Sequence, residues 1–238
     1  MSESYTWLIT GASRGLGLEM VRQLLQSSSN TIIAACRTPD NAAVLKSLHT
    51  DAKGTLHVIQ IDTADEASIR ASSTIVKTIL GERGLDYLIS NAAILEGGND
   101  VTAFSFSVPS FRRTLETNVI GPAIVADTFL PLLEKGNRKV LVNISSGLAS
   151  IGLDFGDIAA VYSISKTALN MLTYKQAKAK PEFIVFCVDP GWVKTDMGGE
   201  KAPLEPHESV SKVLKIVADA TSQSSGKFFR YDGEVLAW

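Results

Sequence analysis

Three observations predict an α/β fold with a parallel sheet covered by helices on both faces. Short apolar runs alternate with longer amphipathic ones along the whole chain. The short runs are hydrophobic almost without interruption, as strands buried on both faces are. No stretch rich in Pro, Gly or Ser divides the 238 residues, so one large domain, 1–238, suits them better than two small ones.

The expected strands are YTWLIT (5–10), TIIAAC (31–36), LHVIQID (56–62), LDYLISN (85–91), KVLVNIS (139–145) and FIVFCVD (183–189). GKFFRYDG (226–233) supplies one more, at an edge. Between them, LGLEMVRQLLQ places Leu18, Val21, Leu24 and Leu25 on one helical face. EASIRASSTIVKTIL, the segments from about 110 to 133 and from about 159 to 178, and SVSKVLKIVADA are further helices. A βαβ progression of this kind builds a parallel sheet. Its site is expected beyond the C-terminal ends of the strands.

The composition removes several function classes. A formal charge of -2 gives no electrostatic reason to bind nucleic acid or an anionic membrane. No apolar run approaches a membrane span, and the opening MSESYTWLITGASRG lacks the pattern of a signal peptide. The cytoplasm is the expected location. Cys36 and Cys187 read as separate buried thiols in a reducing compartment. His49, His57 and His207 join no acid or cysteine pattern, so no metal site is expected.

YTWLITGASRGLGLEM reads as strand, glycine turn, helix. Gly11 permits a tight path, Gly15 an approach to a pyrophosphate, and Gly17 close packing of the helix. The helix start, with Ser13 and Leu16 in the same turn, offers N–H groups to phosphates. The spacing G-x-x-x-G-x-G departs from the usual dinucleotide fingerprint, and a plain structural turn is the alternative. The second strand ends in Cys36 and Arg37, without the carboxylate that meets a free ribose 2′-OH. Arg37, with Arg14 in the glycine turn, suits a 2′-phosphate instead and points to NADP (NADPH) over NAD. Asp62 with Thr63 after the third strand, and Asn91, Ala92 and Ala93 after the fourth, are expected beside the nucleoside. Asp62 serves equally as a cap for the following helix.

Ser145 follows the strand KVLVNIS, and Tyr162 and Lys166 share a helix face at i, i+4. A free tyrosine has a pKa near 10, and a neighbouring ammonium lowers it. Tyr162 can then pass a proton to a carbonyl oxygen, with Ser145 holding that oxygen. Lys166 can also hold a nicotinamide ribose. Asn118, a poor helix-interior residue followed by Gly121 and Pro122, marks a disruption where a water relaying protons to Lys166 can sit.

With these residues in place the chain resembles the short-chain dehydrogenase/reductase family. The matching stretches are TGASRGLG, NAA, TNVIG, NISS, YSISK and PGWVKTDMGG, in the family's order from residue 5 to about 235. The resemblance implies a Rossmann-type three-layer sandwich with a mostly seven-stranded parallel sheet. It implies a tetrad of Asn118, Ser145, Tyr162 and Lys166. It also places Pro190, Gly191, Val193 and Thr195 along the cofactor and gives Arg14 and Arg37 the choice of NADP. Ala93 stands where the family usually has glycine. Sixteen residues separate Ser145 from Tyr162, about four more than is common. The longer loop and the PGWVKTDMGG ending look like the small carbonyl reductases of the sniffer and C-signal type, and like fungal polyketide ketoreductases.

The substrate is expected between loops 93–108, 147–160 and 191–208. Leu95, Leu153, Phe155, Trp192 and Met197 favour an apolar or aromatic carbonyl compound, although core packing explains such residues equally well. A homodimer or homotetramer is expected across the long helices. The expected activity is NADPH-dependent reduction of a ketone or aldehyde. A catalytically weak NADPH-binding regulator and an NAD(P)-dependent epimerase or dehydratase are the alternatives.

Overall fold

A computed structural model describes residues 4–238. Seven strands form one sheet in the order β3-β2-β1-β4-β5-β6-β7, with every pairing parallel. They are β1 (Tyr5–Thr10), β2 (Asn30–Cys36), β3 (Thr55–Gln60), β4 (Tyr87–Ser90), β5 (Val140–Ile144), β6 (Ile184–Asp189) and β7 (Phe228–Arg230). The helices are α1 (Gly15–Leu24), α2 (Ala43–Ser47), α3 (Glu66–Leu80), α4 (Val108–Leu115), α5 (Gly121–Lys135), α6 (Ala160–Ala179) and α7 (Pro206–Asp219).

The uninterrupted hydrophobicity of the strands has a direct cause. Along β1, Trp7 and Ile9 face one core, where Met20 and Val21 of α1 and Val213 of α7 pack. Leu8, between them, faces the other core, with Ile69 of α3 and Val125 and Phe129 of α5. Period-2 alternation therefore sends successive residues into two separate dry layers, and both must be apolar. Strand order reverses between β1 and β4, and the crevice at that reversal is where ligands of such sheets bind.

The expected long helix over 110–133 is broken. A π turn, Glu116–Ile120, separates α4 from α5, and Asn118 lies in its centre, fully buried. Gly121 follows at a close approach, since a Cβ there would come within 2.2 Å of the Thr63 carbonyl oxygen. One extra residue in the turn brings the start of α5 onto that backbone without a side chain between them.

Beyond β7 the chain folds back on its own subunit. Leu236 N–H donates to the Phe228 carbonyl at 2.8 Å, and the Trp238 ring stacks on Phe228 at 5.9 Å. The carbonyls of Ala237 and Trp238 accept from the Ser150 hydroxyl (2.7 Å) and the Gly152 N–H (3.2 Å) respectively. Among the described residues no helix is long and apolar enough to cross a membrane, and no group of three or more His, Cys, Asp or Glu is arranged to hold a metal. Cys36 and Cys187 are buried and unbridged.

Candidate active site

The turn after β1 is built around missing side chains. Gly11 sits at φ +67°, and a Cβ there would lie 2.8 Å from Ala92 Cα. Asn91 closes the turn from β4, donating its Nδ2 hydrogens to the carbonyls of Thr10 (2.9 Å) and Gly11 (3.2 Å). Asn91 thus shapes the turn by its side chain, and Ala92 and Ala93 continue past it half-buried. Gly17 is the tightest point: a Cβ would be 2.4 Å from the Gly11 carbonyl oxygen and 2.6 Å from Asn91 Nδ2. Helix propensity alone favours Gly17→Ala by about 1 kcal/mol. The backbone clash outweighs it, so this variant is expected to lose about 1–3 kcal/mol in urea denaturation.

Several observations test the fit of a dinucleotide phosphate here. The first N–H groups of α1 have no intrahelical acceptor. Arg14 at the N-cap makes no side-chain cap bond, and the first turn carries no acidic residue. Gly15, at φ +55°, has only Thr195 within reach, 3.5 Å from a Cβ placed there. The turn therefore presents bare backbone and a positive helix end to a gap bordered by Thr195. Thr195 Oγ1 accepts the Gly198 N–H at 3.1 Å, which fixes that border. Arg14 pairs with Asp196 at 3.2 Å, both largely exposed, a weak bond that a phosphate can replace. Arg37 is exposed and forms no ion pair among the described residues. Asp62 accepts the Ala64 N–H at 3.0 Å and so caps its own turn, while Asp65 caps α3. Thr63 is buried. These residues fit NADP.

On the other side of the crevice, Gly191 at φ +78° follows Pro190, whose carbonyl accepts the Ser209 hydroxyl at 2.6 Å. Val193 is buried and bridges to Leu204. This segment faces the glycine turn through the Thr195–Gly15 approach.

The residues expected to react lie at the end of β5 and on α6, with one difference from expectation. Ser145 is buried and turned away: its hydroxyl donates to Asn170 Oδ1 of α6 at 2.6 Å. Asn143, two residues earlier on the same face, likewise donates to Thr173 of α6 at 2.9 Å. Strand alternation thus commits Ser145 to the α6 seam. Ser146, half-buried and one residue on, stands close enough to the Tyr162 phenol to oppose the rise of its pKa. Its hydroxyl also accepts the Leu148 N–H at 3.2 Å. Ser146 was missed because NISS offers two adjacent hydroxyls, and hydrophobic pattern does not show where the strand stops alternating.

Tyr162 and Lys166 lie on the buried face of α6. Lys166 Nζ donates to the Ile144 carbonyl at 2.8 Å and stands 5.6 Å from the centre of the Tyr162 ring. Burial pulls the lysine down to about 7. Burial also pushes the tyrosine above its ordinary range, the Asp189 carboxylate adds to that, and the nearby Ser146 hydroxyl opposes it. The expected lowering of the phenol by Lys166 is not what the structure shows: burial, the largest cause, drives the Tyr162 pKa up instead. Asn118 holds the loop after β4, accepting Ile94 N–H and donating to Ile94 carbonyl, each at 2.9 Å. Its second donor bond, at 3.0 Å, goes to Ser165 of α6.

Of the expected pocket residues, Phe155 lies over the site. Its ring would touch a Cβ on Gly147 at 3.2 Å. Leu153, Trp192 and Met197 are exposed around the same edge, and Leu95 is half-buried after β4. Trp192 is anchored by its indole N–H to the Gly198 carbonyl at 2.7 Å.

The chain matches the short chain dehydrogenase family model over residues 6–205. It is 30% identical to an uncharacterized oxidoreductase of Schizosaccharomyces pombe, across 98% of this chain and 97% of that one. Among solved structures it resembles the NADPH-bound carbonyl reductase from chicken fatty liver, with TM-score 0.91, 33% identity, and coverage of 99% and 100%. It also resembles the carbonyl reductase Sniffer of Drosophila melanogaster, with TM-score 0.93, 29% identity and the same coverage. By sequence, by strand order and by the arrangement at the sheet edge, this chain belongs to the short chain dehydrogenase family.

Proposed function

We propose that the protein reduces the carbonyl group of an apolar or aromatic ketone or aldehyde, with NADPH as the reductant and Tyr162 as the general acid. The observation that carries this is the buried phenol of Tyr162, close to Ser146 and next to Lys166, at the same sheet edge as an uncapped glycine turn. Bound NADPH supplies the hydride. The chain's own groups do the rest. Ser146 holds the carbonyl oxygen and Tyr162 gives it a proton, its raised pKa keeping that proton in place until the oxygen becomes basic. Lys166 holds the ribose side and supplies positive charge beside the phenol. Asn118, through the π turn, keeps α4–α5, α6 and the loop after β4 in register, and offers a place for a relaying water. Arg14 and Arg37 meet the 2′-phosphate, with Gly11, Ser13, Gly15, Leu16 and Gly17 cradling the pyrophosphate.

Leu95, Leu153, Phe155, Trp192 and Met197 border a pocket between loops 93–108, 147–160 and 191–208 of a single domain. That all seven strands join one sheet supports the single domain. Exposed Ile164 and Met171 on α6, with Ile120 at the end of the π turn, support pairing of two copies, and the unbridged thiols suit the cytoplasm.

NADPH consumption with a panel of aromatic ketones, quinones and reactive aldehydes tests the reading. Turnover of at least one class is expected. Tight NADPH binding with no carbonyl consumed would make the protein an NADPH-binding regulator. Arg37→Asp is expected to raise the Michaelis constant for NADPH over that for NADH by about 10- to 100-fold, the equivalent of one charge-assisted bond. An unchanged ratio in the same assay removes Arg37 from cofactor choice.

A further inference from the structure

α6 begins without a side chain to cap it. The first N–H groups of a helix have no acceptor within it, so a buried start needs partners from elsewhere. Here a loop supplies them. The Ala159 N–H donates to the Asn99 carbonyl and the Ala160 N–H to the Val101 carbonyl, each at 2.9 Å. Ala159 is buried and sits at φ +48°, in the left-handed region that an alanine adopts only where its surroundings impose it. Tyr162 follows within the first turn of the same helix.

The loop that supplies both carbonyls comes after β4 and is held from its other end. Asn118 of the π turn bonds both backbone groups of Ile94. Two residues on, Arg113 of α4 grips the Glu96 carboxylate with two parallel bonds, Nε to Oε1 at 2.8 Å and a terminal nitrogen to Oε2 at 2.6 Å. A fork of this kind fixes direction as well as distance. Gly97 (φ +83°) and Gly98 (φ +73°) then turn the chain just ahead of Asn99. That turn is tight, since a Cβ on Gly97 would lie 2.5 Å from Val101 Cγ2. A firm grip on Glu96 is therefore passed to the two carbonyls within a few residues.

We propose that the Glu96–Arg113 pair is a positioning device for the proton donor: it fixes the 96–101 loop, whose Asn99 and Val101 carbonyls hold the first turn of α6 and with it Tyr162. The inference rests on Tyr162 being the acid. An exposed ion pair adds little to the stability of a whole fold. Its worth here is local, because the helix start it steadies has no side-chain cap and carries an alanine in a conformation that the loop must hold. Leu95, between Ile94 and Glu96, rides on the same loop, so the pair also ties one border of the proposed pocket to the acid.

Arg113→Met removes the fork and keeps the reach of the side chain. Amide exchange, followed residue by residue by NMR, reads the helix start with neither substrate nor cofactor present. The Ala159 and Ala160 amides are expected to exchange about three- to fivefold faster in this variant, the worth of one well-formed exposed ion pair, while those of Leu169 and Asn170 further along α6 keep their rates. In carbonyl reduction kcat is expected to fall by a similar factor, with NADPH affinity unchanged. Glu96→Ala is expected to act alike, and the double variant no more strongly than either single one. Ala159 and Ala160 amides that exchange at wild-type rates overturn the proposal. So do single effects that add in the double variant, or a kcat that holds while the amides quicken. A wild-type protein that consumes no carbonyl compound defeats the proposed function instead, and the amide rates still decide whether the pair holds α6.

Discussion

Tyr162→Phe is expected to lower kcat/KM for carbonyl reduction by about 10²–10⁴-fold, the usual worth of a positioned general acid. NADPH affinity, followed by fluorescence titration, is expected to stay unchanged. The substitution keeps the ring in its place beside Lys166 and removes only the O–H, which lies near Ser146. Because burial already favours the neutral phenol, the loss concerns the proton and not a charge. The two readouts separate chemistry from binding. Activity surviving at near wild-type rate would refute Tyr162 as the acid.

The second large effect is a contrast between neighbours. Ser146→Ala is expected to reduce kcat by about 10²–10³-fold, as removal of a donor to the developing oxyanion does. Ser145→Ala is expected to leave kcat nearly unchanged and to cost about 1 kcal/mol of stability, since Asn170 Oδ1 loses its partner in a buried seam. Asn170 Nδ2 already has no partner there among the described residues, so the seam has little capacity to absorb the change. Steady-state rates and urea midpoints on the two variants settle the order. The opposite order, with Ser145 carrying the rate, would return the oxygen-holding role to the earlier serine.

This pair also shows where reading the chain as text reaches its limit. The strands were legible because each faces two dry layers and so becomes a continuous apolar run. β7, only three residues long, was still visible as an edge strand from FFR. The glycine turn was legible because Gly11 and Gly17 fill spaces with no room for a Cβ. The break at Asn118 was signalled by a poor helix former ahead of Gly121 and Pro122, although its form, a π turn, was not. The choice between Ser145 and Ser146 depends on a single residue of strand register. That register is set by how β5 meets α6, a tertiary contact with no trace in local pattern. The direction of the Tyr162 pKa was hidden for a similar reason. Spacing announces that a lysine is near, but the depth of burial, which decides the sign, belongs to the assembled core. Asp189 was read as the last residue of a strand; its bond to Gly191 is a local turn, but its approach to Gly147 exists only once β5 and β6 lie side by side.

The folded-back tail has a consequence for redesign. Ser150 and Gly152, at the root of the loop that carries Leu153 and Phe155, are tied to Ala237 and Trp238, and a Cβ on Gly152 would come within 2.9 Å of the Ala237 methyl. Loop and tail are therefore one graft. A 147–160 segment transplanted from a relative to widen substrate scope would meet a foreign anchor unless residues 235–238 travelled with it. Any fusion partner attached after Trp238 would likewise pull on the same anchor.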